Sequence, residues 1–408
     1  MPKRWTPSLA LILALIALAP LLNLALRGNP FRFAVLLINI FVLAVLAMMR
    51  LPRYAPAFIS VSAGALSLVV IESFFVLIEP VPTHLEGSVN NNYITHDTPF
   101  GYAPNPGVFS SMKCQGDCAA GRLYDVTYTI ENGGYRHTPQ EHGTAKSKKV
   151  LFFGDSATFG EGLNDDETLP YYFARLRPDA EVFNFAFHGY GAHQVLRALE
   201  TGRFDAYTGP KPDLIVFPTT PWHAERSYCL HYFTQRTPRY EVIGDEAVYA
   251  GRCPEEGIVG RFLHQWKTYE YFSQHIPRDL FWADEKYKRY LAIIKRAQRL
   301  AKEKYGARFV IGFIRVSDAF FRGSHYSNER ILDYLKENGI ETIDLTLSDS
   351  PEASNPSLTI PVDGHPSARA QFLRAEILAR VLDERGCDNG ASHRCDNVQN
   401  ATKYQSHN

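Results

Sequence analysis

Residues 5–26, 33–49 and 55–78 are almost unbroken apolar sequence, and the three runs follow one another within the first 80 residues. A helix that crosses a bilayer needs about 20 such residues, within a range of about 17–25. A cleaved secretion signal would show a single apolar run of about 7–15 residues ahead of a small-residue cleavage site, which three successive runs do not match. Helices of a soluble core would carry a polar stripe at helical spacing, and none is visible here. The pattern predicts a membrane anchor over residues 1–80 with three transmembrane helices in contact with lipid. Lys3, Arg4, Arg50 and Arg53 fall on one side of these spans and Arg27 and Arg32 on the other. The basic excess places the N-terminus in the cytoplasm and everything after the third span outside it. The expected location is therefore the inner (cytoplasmic) membrane, with a soluble domain in the periplasm. Glu72 is costly within a span and calls for either an interfacial position or a partner within the bundle.

Charge and cysteine usage bear on the rest of the chain. Lys plus Arg equals Asp plus Glu at 43 each among 408 residues, so the basic excess of a general nucleic-acid binder is missing. The six cysteines all follow the third run and fall in local couples: Cys114 with Cys118, Cys229 with Cys253, Cys387 with Cys395. That usage suits disulfides in an oxidising compartment. Connectivity is not readable from spacing; local pairing is the expectation. The spacing is poor for zinc, and neither a metal nor a cofactor is expected.

From about residue 148 the sequence alternates between two periods. Apolar stretches at 150–153, 182–185, 214–217, 309–313 and 342–345 read as short buried strands. Helical stretches at 169–176, 194–204, 286–304, 328–337 and 366–384 lie between and after them. Alternation of this kind predicts an α/β fold, a five-stranded parallel sheet between helix layers, over residues 148–386. Ligands in such sheets bind beyond the carboxyl ends of the strands. Residues 81–147 are expected to be a connector with one strand at 126–130, and residues 387–408 a polar tail. An insertion at 221–284, dense in aromatics such as Trp222, Tyr240 and Trp266, is positioned to roof a site, with most of its rings packing the insertion's own small core.

The first strand of this region runs into Phe153-Gly154-Asp155-Ser156-Ala157-Thr158-Phe159-Gly160. A serine just past a buried strand can project its hydroxyl into the cleft, but it needs a base. Asp363-Gly364-His365-Pro366 follows the fifth strand. There His365 can accept the serine proton, and Asp363 can hold the other ring nitrogen. Taken alone, Asp363-Gly364 is also an ordinary turn and His365-Pro366 an ordinary helix start.

Together, Gly-Asp-Ser after the first strand and Asp-x-His-Pro before the last helix resemble the SGNH/GDSL family of esterases and acyltransferases, over roughly residues 148–385. Asn184-Phe185-Ala186-Phe187-His188-Gly189 is similar to the family's second block, continued by Gly191 and Gln194. The resemblance implies a three-layer α/β/α sandwich, with Ser156 as nucleophile, His365 as base and Asp363 as its orienter. It also implies an oxyanion hole made by the Ser156 and Gly189 amides. The family's third block departs: Pro221-Trp222 stands where an asparagine would supply another oxyanion donor. Thr219, Thr220 and His223 are candidates to replace it, and Arg226 is a candidate to hold a charged substrate group. The expected activity is an outward-facing serine esterase acting on O-acyl, chiefly O-acetyl, groups of a cell-envelope carbohydrate. Acyl transfer to a polysaccharide by the same residues, and a non-catalytic glycan-binding role, are the alternatives.

Overall fold

The computed structural model describes residues 31–78, 85–89, 92–140, 146–209, 211–255, 257–263, 265–275, 283–348 and 358–388. The expected span at 5–26 and the partner of Cys387 lie outside these residues. The chain divides into two units, Met1–Thr83 with Glu256–Arg278, and His84–Glu255 with Asp279–Asn408.

In the first unit, helices Arg32–Arg50 and Ala55–Ile78 are long and apolar enough to cross a membrane. Pro52 cannot supply the amide that would prolong the first of them, and a short 3₁₀ turn, Pro52–Tyr54, leads into the second. Most of their apolar surface is exposed, as at Met49, Ile59, Val70 and Leu77, the reverse of a helix buried in a soluble core. Glu72 is 1% exposed. Its carboxylate accepts the backbone N–H groups of Lys267 (2.7 Å) and Thr268 (3.1 Å) and the Thr268 hydroxyl (2.7 Å). It therefore caps the helix Lys267–His275, whose first amides have no partner within the helix. Glu72 is thus paired, though with a helix outside the N-terminal apolar runs. Rings complete the packing: Phe33 stacks on Trp266, and Phe75 meets Tyr271 and Phe272. The insertion expected over 221–284 is thus divided, and residues 256–278 group with the apolar helices.

The second unit has twelve strands among its described residues. They are β1 (Leu85–Val89), β2 (Ile94–Thr98), β3 (Gly101–Pro104), β4 (Gly107–Gln115), β5 (Arg122–Ile130), β6 (Lys148–Phe152), β7 (Ala180–Asn184), β8 (Leu214–Thr219), β9 (Pro238–Ile243), β10 (Glu246–Arg252), β11 (Arg308–Phe313) and β12 (Glu341–Asp344). Five of them form a parallel sheet in the order β12-β11-β8-β6-β7. Side chains alternate across it, as a period of two requires. Leu151, Phe183, Ile215 and Ile311 join one core with the helices Ala192–Thr201, Ala283–Leu300 and Asn328–Glu337. Val150, Phe152, Val182, Val216 and Val310 join the other with Leu169–Leu176 and Ala368–Asp388. The result is the expected α/β/α sandwich.

The segment before this sheet is more than a connector with one strand. It holds an antiparallel sheet, β1-β4-β5, and a hairpin, β2-β3. Arg136 bridges β5 to the edge of the parallel sheet, its N–H donating to the Asn184 carbonyl at 2.8 Å. Beyond residues 126–130 of β5 this region was not read as strand because β1 to β4 lack the continuous apolar runs that mark the parallel strands. Disulfides Cys114–Cys118 and Cys229–Cys253 are formed; the second ties the base of the β9-β10 hairpin.

Candidate active site

Beyond the carboxyl end of β6 the chain turns sharply into the short helix Ser156–Phe159. Gly154 permits the turn, since a Cβ there would overlap the Thr158 side chain. Asp155 caps the helix by accepting the Ala157 N–H at 3.0 Å. Its other oxygen accepts His223 Nε2–H and Arg226 Nη1–H, both at 3.0 Å. His223 is fully buried, and Thr219 donates to its Nδ1 at 2.8 Å while accepting the Tyr290 hydroxyl at 2.9 Å. Burial together with the neighbouring Arg226 pushes the His223 pKa down despite Asp155. Burial alone would raise the Asp155 pKa, yet His223 and Arg226 hold it far below the carboxylate range.

Of the candidates for substrate contact, His223 spends both ring nitrogens on Thr219 and Asp155, whereas Arg226 binds Asp155 and the Tyr190 carbonyl (2.7 Å) through Nη1 and also lines the cavity beside Ser156. What they do is lock the turn that carries Ser156. Thr220 differs: it is buried, its hydroxyl has no partner among the described residues, and it lines the cavity beside Ser156.

Ser156, His365 and Asp363 are brought together across a separation of more than two hundred residues. The Ser156 hydroxyl donates to His365 Nε2 at 2.9 Å, and His365 Nδ1–H donates to Asp363 Oδ1 at 2.6 Å. Asp363 and His365 sit on a tight loop closed by Ile360 N–H to the His365 carbonyl (2.8 Å) and Gly364 N–H to the Ile360 carbonyl (2.9 Å). Val362 takes a positive φ of 65° in this loop, a strained conformation for a β-branched residue. Gly189, φ 70°, occupies the turn after β7, where a Cβ would come within 2.6 Å of the Tyr102 hydroxyl.

Sequence reasoning missed the charged groups around the histidine. Lys113 of β4 donates to Asp363 Oδ2 at 2.5 Å and lies 3.8 Å from Glu161. Glu161 Oε2 is 3.4 Å from His365 Nε2 and accepts His188 Nδ1–H at 2.7 Å. Burial would lower the His365 pKa, but the Asp363 hydrogen bond and the Glu161 and Asp363 charges overcome it and raise it above the ordinary value. Burial would raise Glu161, but His188, His365 and Lys113 bring it down to about 2. Asp363 is held low by His365 and Lys113 against its own burial. Glu161, Asp363 and His365 lie close enough to share a metal ion. However, the Lys113 ammonium already sits on both carboxylates, and His365 Nε2 faces the serine.

A cavity of about 400 Å³ opens at Ser156 and His365. A second, of about 570 Å³, is lined by Lys113, Glu161, His188, Tyr93, Tyr124 and Tyr128. The fold and site thus define an α/β/α sandwich bearing a hydrogen-bonded serine, histidine and aspartate past the carboxyl edge of its sheet.

No protein-family model and no curated protein matches the chain. Among solved structures it is similar to a lipolytic protein of the G-D-S-L family from Veillonella parvula DSM 2008, at 15% identity over 58% of this chain and 98% of that one, TM-score 0.34. It is likewise similar to a catalytic mutant of Axe2, an acetylxylan esterase from Geobacillus stearothermophilus (14%, 58% and 94%, 0.34). A third is the psychrotrophic esterase EstA from Pseudoalteromonas sp. (11%, 58% and 98%, 0.34).

Proposed function

We propose that this chain is a membrane-anchored serine esterase that removes O-acyl groups, chiefly O-acetyl, from a carbohydrate of the cell envelope. The observation that carries the reading is the continuous hydrogen-bonded path from Ser156 through His365 to Asp363. His365 takes the hydroxyl proton as Ser156 Oγ attacks the acyl carbonyl, and Asp363, backed by Lys113, stabilises the imidazolium. The amides of Ser156 and Gly189 receive the oxyanion; one such donor is worth about 2.7–4 kcal/mol of barrier. Collapse expels the alcohol, which takes the proton from His365 and leaves an acyl-serine. Water, deprotonated by the same histidine, then releases the carboxylic acid and restores the serine.

Exposed apolar helices support anchoring in the inner membrane, and disulfides suit a periplasmic domain. Acyl transfer differs only in that a sugar hydroxyl replaces water. The second cavity, with its tyrosines and Glu161 beside His365, favours an acceptor site of that kind.

A fluorophosphonate probe tests the reading. It is expected to label the full chain at Ser156, while Ser156→Ala and His365→Ala lower ester turnover by at least about 10³-fold. Absent labelling, with glycan affinity indifferent to His365→Ala, would replace the esterase by a binding protein. Turnover that requires a glycan acceptor would replace hydrolysis by transfer.

A further inference from the structure

We infer that the cavity beside Ser156 is a subsite for a carboxylate carried by the ester substrate, with Arg374 as its charge partner. This rests on the esterase reading of Ser156 and narrows its substrate to anionic esters.

Arg374 projects from the helix Ala368–Asp388 and lines the same cavity as Ser156 and His365. Its Nε donates to the Leu345 carbonyl at 3.3 Å. Its Nη groups have no hydrogen-bond or ion-pair partner among the described residues. Three other sheltered arginines each have an acid: Arg136 is paired with Asp165, Arg177 with Asp383 and Arg226 with Asp155. Asp155 is the acid whose charge Arg374 feels, and that carboxylate is already shared between His223 and Arg226.

Two further polar atoms at the cavity lack partners among the described residues, Thr220 Oγ1 and Gln371 Oε1, each on a side chain more than nine-tenths buried. Apolar walls such as Leu169, Ile314 and Leu358 surround them. A sheltered charge without a counterion is costly. Burial lowers the Arg374 guanidinium to about 10, the direction expected of a cation awaiting an anion. Arginine's planar fork matches a carboxylate with two parallel hydrogen bonds. Thr220 can donate a further bond, and Gln371 can accept one from a substrate hydroxyl.

The carboxylate can lie on the acyl group or on the alcohol, so the test has two arms with the full chain in detergent. One compares a hemisuccinate ester with its neutral propionyl counterpart. The other compares O-acetylated methyl glucuronoside with O-acetylated methyl glucoside. In one arm the anionic member should be preferred about tenfold or more in kcat/KM, a factor worth about 1.4 kcal/mol. The preference should shrink with added salt, collapse in Arg374→Gln and survive in part in Arg374→Lys. The salt series on the unaltered chain stands even if Arg374→Gln fails to fold. No anionic preference in either arm, with neutral esters turned over, overturns the subsite and leaves the esterase. Titration of Ser156→Ala with succinate and with methyl glucuronoside separates the two readings. Arg374-dependent binding there, with no ester hydrolysed by the unaltered chain, upholds the subsite and removes the esterase.

Discussion

At the scale of single residues, the decisive arrangement is His365 between two carboxylates and a serine. In the neutral ring Nδ1–H points at Asp363, so Nε2 is free to accept the Ser156 proton. Glu161, 3.4 Å from Nε2, then faces the proton once it has moved. Both carboxylates raise the histidine's pKa above its ordinary 6.5, and a protonated ring cannot act as base. Activity should therefore rise with pH through an apparent value above 6.5. Glu161→Gln removes one of the raising charges and should move that limb to lower pH, read from kcat/KM against pH. An unmoved limb would mean that Glu161 is electrostatically silent. The two groups affect stability in opposite senses. Glu161, held at about 2 against an ordinary 4.5, contributes stability above 4.5 that is lost as pH falls toward 2. His365, with its raised pKa, contributes at low pH and loses that contribution as pH rises through its folded value.

At the scale of elements, the segment before the parallel sheet supports the serine turn. Arg136 is fully buried and donates to the carbonyls of Phe159 (2.8 Å), Gly160 (2.7 Å) and Leu163 (2.6 Å), and through Nε to Asp165 (3.0 Å). The rings of Tyr128 and Phe159 lie against its guanidinium. One side chain thus holds the loop leaving the Ser156 helix against β5. Arg136→Met should cost about 3–5 kcal/mol, because it leaves Asp165 and three carbonyls short of a donor in a buried site. The check is chemical denaturation followed by tyrosine and tryptophan fluorescence; a loss under 1 kcal/mol, on the order of a surface change, would show the loop to be held elsewhere. The five strands and five helices of the sandwich were legible as elements because each has one clear period, two or three to four residues. Of the β1-β4-β5 sheet only residues 126–130 were, because β1 and β4 mix apolar with polar residues and lack the short apolar runs that mark the parallel strands.

At the scale of the whole molecule, the chain is organised as two units, and the second is interrupted by residues that belong to the first. The break falls after the disulfide Cys229–Cys253, which closes the part of the insertion that stays with the sandwich. If the anchor crosses the membrane three times, the C-terminus lies outside the cytoplasm. A reporter that folds only where disulfides form, joined to the end of the full chain, should be active. Activity of a cytoplasm-restricted reporter at the same position would reverse the topology.

The sequence by itself determined the layers, the apolar helices and the serine, histidine and aspartate, while the disulfide couples were an expectation that the fold then met. Each of these depends on residue types in short local stretches, which survive in one dimension even where the stretches that meet lie more than two hundred residues apart. Only tertiary structure decided what surrounds them: Lys113 and Glu161 beside the histidine, His223 and Arg226 on Asp155, Glu72 on a helix nearly two hundred residues away. Charges in a folded chain are paired by distance through space. The same lysine, glutamate or arginine looks alike in sequence whether it faces water or a buried carboxylate.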